Sequence, residues 1–157
     1  MSDQMMKRTI LFAFLLAIFA LTPGPLPAHE FFSAGRPGNP KKPARVVEIT
    51  MREADGKMLF VPDSVEVRRG EQIHFILKNL GELDHEFILA STAENLKHAE
   101  LMMKYPDMQH DDPNGKTIKA KETSEILWLF SKRGQFEFAC LIPGHREAGM
   151  VGKVFVK

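Results

Sequence analysis

The chain has 157 residues, with 21 Lys and Arg against 20 Asp and Glu, and 44% of it is hydrophobic. A charge balance this close to neutral excludes the basic surface that nucleic-acid binding needs. One cysteine excludes an internal disulfide and leaves either an inert buried thiol or a metal ligand.

Lys7 and Arg8 precede an apolar run over residues 10–21, and TPGPLPA follows it to Ala28. Basic, apolar and cleavage regions in that order predict a signal peptide over residues 1–28 and a periplasmic mature protein. The apolar run has 12 residues against the roughly 20 that a membrane-spanning helix needs, so the mature form is not expected to span a membrane. Residues 29–44, HEFFSAGRPGNPKKPA, mix Pro, Gly and basic residues without a sustained period. They are expected to form a flexible leader, and residues 45–157 a single domain with a true core.

From Arg45 onward, short runs alternate at period two: Val47, Ile49 and Met51; Val65 and Val67; Ile73, Phe75 and Leu77; Leu83, His85, Phe87 and Leu89. Turn residues such as Asp55-Gly56, Arg69-Gly70 and Asn79-Leu80-Gly81 separate them. Such spacing predicts an all-β sandwich. Residues 93–105, AENLKHAELMMKY, interrupt it with strong helix formers. A helix is expected there, with Ser91 or Thr92 as N-cap and Pro106 just beyond its end. Residues 126–130 form a continuous apolar run suited to a central strand, Phe136, Phe138 and Cys140 alternate, and Val154 and Val156 close the chain.

The segment CLIPGHREAGM, residues 140–150, sets Cys140, His145 and Met150 at equal intervals. These are the ligand types of an electron-transfer copper centre, in which two histidines and a cysteine form a trigonal set and a methionine lies farther off on the axis. His85 is the candidate for the second histidine. By strand parity His85 is in phase with Leu83, Phe87 and Leu89, Cys140 with Phe136 and Phe138, and Met150 with Val154 and Val156. All three are therefore expected on the inner face, with His145 reaching back from its loop. The expected metal set is His85, Cys140, His145 and Met150, holding one copper that cycles between Cu(I) and Cu(II).

The segment GQFEFACLIPGH through MVG, residues 134–152, resembles the ligand loop of the cupredoxins. Four residues between Cys140 and His145 and four between His145 and Met150 make it most similar to rusticyanin and auracyanin. The resemblance implies a Greek-key β-sandwich with a type 1 copper site at one end. Two features depart from the family pattern. Glu86 stands after His85, where many cupredoxins have Asn. The insertion over residues 93–114 is longer than in small plant-type members and resembles exported bacterial cupredoxins associated with copper tolerance.

Within that insertion, His98 and Met102 are one helical turn apart, and Met108 and His110 follow. Imidazoles and thioethers there suit a second copper, preferably Cu(I); the competing reading is that the methionines simply pack the helix on the sandwich. His29 would chelate Cu(II) if it became the mature N-terminus, and His74 reads as a surface residue.

Two functions fit the same loop. One is one-electron transfer to redox protein partners docking around His145, where Leu141, Ile142, Pro143 and Gly144 would form an apolar rim. The other is copper tolerance by sequestering or oxidising periplasmic copper. No enzyme is expected: a trinuclear oxidase cluster needs His-x-His pairs, which the 6 histidines do not form, and a dinuclear site needs two cysteines. The protein is expected to be a monomer.

Overall fold

The computed structural model describes residues 32–157. The expected signal peptide and His29 lie outside the described residues. In chain order the elements are β1 (Arg36–Pro37), β2 (Arg45–Ala54), β3 (Lys57–Val61), β4 (Ser64–Val67), β5 (Gln72–Asn79), β6 (His85–Ala90), α1 (Thr92–Lys104), β7 (Asp111–Asp112), β8 (Gly115–Ile118), β9 (Thr123–Leu129), β10 (Gly134–Ala139) and β11 (Val151–Val156). They form two sheets, ordered β1-β9-β5-β2-β3 and β4-β11-β10-β6-β8-β7.

The period-two runs meet between the sheets, as alternation requires when one face of a strand is buried. Ile49 and Met51 of β2, Ile73, Phe75 and Leu77 of β5, and Phe138 of β10 are fully buried. Phe87 of β6 stacks on Phe138 at 5.0 Å between ring centres, and Phe60 packs edge-on against Phe138 at 5.1 Å. Aromatic pairs of this geometry add about 0.5–1.5 kcal/mol each beyond the area they bury.

The helix forms where its sequence signals place it. Ser91 is the N-cap, and its hydroxyl and the Glu94 side chain make a capping box that satisfies two backbone N–H groups at the helix start. Among the described residues, no helix is long and apolar enough to cross a membrane.

Three expectations need correction. Residues 32–44 of the expected flexible leader lie against the sandwich instead. β1 pairs with β9, Ala34 is fully buried, and the Trp128 indole N–H donates to the Ala34 carbonyl at 3.3 Å. This segment explains the continuous apolar run of β9: Trp128 faces the core, while Leu127 meets the chain at Gly38, whose N–H bonds the Leu127 carbonyl at 2.8 Å. Second, Leu83 does not belong to the inward set; it sits in the loop before β6 and is exposed. Third, parity does not discriminate on β6, because all six of its residues are buried. The outer face of that strand is covered by the insertion, with Met102 of α1 packed against Ile88, Ala139 and Leu141.

Candidate metal centre

His85 is the first residue of β6, and the loop leading into it is pinned at both ends. The Asn79 amide donates to the carbonyls of Leu83 at 2.7 Å and Ile118 at 3.1 Å, and its oxygen accepts from Gly81 N–H at 3.0 Å. Asp84 accepts from Lys119 Nζ at 2.8 Å and from Ala120 N–H at 3.0 Å. The histidine therefore enters the sheet with little freedom.

Cys140 directly follows β10, and residues 140–150 fold into a closed loop before β11 begins. The Cys140 N–H donates to the Met150 carbonyl and the Met150 N–H to the His145 carbonyl, each at 3.1 Å. His145 N–H in turn donates to Ile142 at 3.0 Å. Gly144 and Gly149, at φ of +88° and +104°, make the two bends in the left-handed region that side-chain-bearing residues rarely adopt. Arg146 anchors the loop by donating to the buried Glu137 of β10 at 3.0 Å.

These elements bring three of the four expected ligands together. One donor atom from each of His85, Cys140 and His145 lies within 4.8 Å of the others. His85 Nδ1 is 3.2 Å from His145 Nδ1, and Cys140 Sγ is 3.4 Å from His145 Nδ1. Bonds of about 2.0–2.3 Å from a first-row metal to imidazole nitrogen and thiolate sulfur separate trigonal donors by roughly 3.5 Å, so the set fits one ion. Met150 is fully buried in the same apolar cluster as Cys140, at the closing end of the loop.

Burial sets the protonation of the three donors. Burial pushes the Cys140 thiol up to about 12, against the opposing pull of the Glu86 and Ile142 N–H groups. A thiol in that state gives up its proton only when a metal replaces it. Burial likewise holds His85 and His145 below the ordinary histidine value, which keeps both imidazoles neutral and able to ligate. The Glu86 N–H donates to Cys140 Sγ at 3.3 Å.

Sequence pattern missed Glu53, on β2. Its Oε1 lies 2.8 Å from His85 Nε2, the ring nitrogen turned away from the cluster. Burial alone would raise this carboxyl, but the N–H groups of Glu82 and Leu83 and the His85 ring outweigh it and hold it at about 2. Nothing in the period or spacing of residue 53 signals the contact, which joins residues 32 positions apart.

In the insertion, His98 Nε2 and His110 Nε2 face one another at 3.1 Å. Asp112 stands 3.3 Å from His110 Nδ1. Glu86 is fully buried, its carboxylate has only the Leu141 N–H and the Thr117 hydroxyl nearby and no well-formed hydrogen bond to either, and Oε1 stands 3.8 Å from His110 Nε2. Burial raises the Glu86 carboxyl, with His110, the Leu141 N–H and the Thr117 hydroxyl opposing. Met102 and Met108 pack in the small apolar cluster under the helix. Leu141 belongs to that cluster too, so it is not part of a surface rim around His145. His74 is a half-buried residue paired with Glu125 at 2.7 Å.

A two-sheet sandwich with a histidine–cysteine–histidine cluster at one end defines the cupredoxin class. Residues 47–157 match the copper binding proteins of the plastocyanin/azurin family, and the chain belongs to that family. It is 44% identical to the copper-resistant cuproprotein CopI of Rubrivivax gelatinosus, over 97% of this chain and 100% of that one. The CopI of Pseudomonas aeruginosa is 32% identical over 83% of this chain and 86% of its own length. Among solved structures, the reduced auracyanin of Roseiflexus castenholzii shares the fold with a TM-score of 0.62 at 18% identity, covering 73% of this chain and 98% of that one.

Proposed function

We propose that this copper-binding protein is an exported, periplasmic copper-tolerance protein that acts as a monomer. His85, Cys140 and His145 would hold the copper, with Met150 as the further ligand. The observation that carries this reading is the buried three-donor cluster in a chain 44% identical, end to end, to a protein named for copper resistance. Bound copper would supply one-electron exchange between Cu(I) and Cu(II). The chain's own part is to hold the donors in a fixed, water-poor set, so that little rearranges when an electron arrives. Deleting the gene and returning it with and without Cys140 tests the role: tolerance to excess copper should fall on deletion and return only with the intact cysteine.

Electron exchange with a protein partner is a second reading of the same centre. It draws support from the half-exposed His145 and from exposed Leu80 and Leu83 on the loop leading to His85, a small apolar area suited to brief docking. A second copper at the insertion draws on the converging Nε2 atoms of His98 and His110 and on the Glu86 carboxylate 3.8 Å from His110, a looser set than His85, Cys140 and His145, whose donor atoms all lie within 4.8 Å of one another. Met102 and Met108, expected beside them, would serve as packing.

A further inference from the structure

The His85 ring is backed by a carboxyl group whose two oxygens both act as acceptors. Glu53 Oε1 faces His85 Nε2 at 2.8 Å and also accepts from Leu83 N–H at 3.2 Å, while Oε2 accepts from Glu82 N–H at 2.9 Å. Both oxygens already accept from backbone N–H groups, so the carboxyl meets His85 as an acceptor and the hydrogen sits on Nε2. The tautomer is thereby fixed, and the lone pair is left on Nδ1, the atom that faces His145.

The space for this carboxylate is reserved. A Cβ on Gly81 would lie 2.4 Å from Glu53 Oε2 and 2.5 Å from Oε1. The Gly81 backbone is outside the left-handed region, so what glycine supplies here is room and not conformational freedom. Three residues of one loop, Gly81, Glu82 and Leu83, thus accommodate a single carboxylate from β2 and aim it at His85.

We propose that Glu53 is an anionic positioning residue of the copper centre, which fixes the His85 tautomer and biases the site toward Cu(II) over Cu(I). This rests on the reading of His85, Cys140 and His145 as copper ligands. A carboxylate bonded to the far nitrogen of a ligating imidazole makes that imidazole a stronger donor. Its negative charge also favours the more positive oxidation state, because Coulomb attraction grows with the charge difference. The rival account is that Glu53 only pins the loop over residues 81–83. Pinning alone would change stability and leave the ratio of Cu(II) to Cu(I) affinity untouched.

The test uses the full copper-loaded protein as wild type, Glu53→Gln, Gly81→Ala and the double variant. Voltammetry gives the potential, and competition with chelators gives the two copper affinities. Gln keeps an acceptor oxygen for His85 and removes the charge, together with the second oxygen that accepts from Glu82 N–H, so the thiolate-to-copper absorption band should persist. Affinity for Cu(II) should fall by about 10–100-fold, the usual cost of losing a partner of a metal-ligating histidine. Cu(I) affinity should fall less. A tenfold change in the ratio corresponds to a potential about 59 mV higher for this one-electron couple.

Gly81→Ala should move the potential in the same direction, because its methyl group takes the place of the carboxylate. Combined with Glu53→Gln it should add little. Should Glu53→Gln fail to fold, Gly81→Ala, which keeps the glutamate, decides the matter. Variants that fold and keep the band with unchanged or lowered potential would overturn the role of Glu53. A wild type without that band, when oxidised and copper-loaded, fails at the earlier step and takes this proposal with it.

Discussion

The ligand loop and the insertion each gather histidines beside a carboxylate, yet they are built in opposite ways. In the loop over residues 140–150, the chain closes on itself through backbone hydrogen bonds from Cys140 to Met150 and from Met150 to His145. These bonds fix the donors within the loop, and Glu53 is satisfied by two N–H groups as well as by His85. In the insertion, His98 and His110 come from a helix and from the approach to β7, and the facing Glu86 carboxylate makes no well-formed hydrogen bond, with only the Leu141 N–H and the Thr117 hydroxyl nearby. A buried carboxylate without well-formed hydrogen bonds costs stability. The contrast teaches that the first region is a finished scaffold, whereas the second holds a cost that a cation would offset.

The largest effect should come from breaking the first region. Cys140→Ser should abolish the thiolate-to-copper band outright, as read by visible absorption, while a weaker copper remains at the insertion by metal titration. Next, His98→Ala combined with His110→Ala should lower the copper stoichiometry from two to one and leave the band in place. An unchanged stoichiometry would reduce the insertion to packing. Smaller still, Glu86→Gln should stabilise the copper-free protein by about 1 kcal/mol, since an amide is cheaper to bury than a charge. The same variant should weaken the second copper. Calorimetry with and without metal separates the two effects.

The smallest effect concerns the cap that holds the insertion's helix. Glu94→Ala removes half of the capping box and should cost about 1 kcal/mol at neutral pH, a few degrees in Tm. Burial works to raise the Glu94 carboxyl, but hydrogen bonds from Ser33 and Ser91 prevail and hold it below its ordinary value. A depressed folded-state value means that the contribution is complete above the unfolded value of about 4.3 and is lost as pH falls through the folded one. The Tm gap between wild type and Glu94→Ala should therefore narrow as the pH is lowered below that point. A constant gap would assign the effect to helix propensity alone.

What could be read from sequence was local. The intervals among Cys140, His145 and Met150 are a property of one loop, and the period-two runs of β2, β5 and β10 are properties of single strands. Ser91, one of two N-cap candidates, and Pro106 bracketed the helix from local sequence, and Ser91 is the cap. What escaped was long-range. Glu53 reaches His85 across the sandwich edge, and Glu86 meets His110 only because the insertion folds back over β6. Parity failed on β6 for that reason: a strand covered on both sides has no outward face to reveal. Residues 32–44 looked like a linker because Pro and Gly carry no period, although Ala34 is buried as deeply as any core residue.

That N-terminal strap has an optical consequence. Trp128 is the chain's one tryptophan, and its indole is bonded to Ala34 and met edge-on by Phe32 at 5.3 Å. The emission of a single fluorophore thus reports the seating of one short segment. Lifting residues 32–38 off the sheet would expose the indole to water and shift its light to the red, with no label attached.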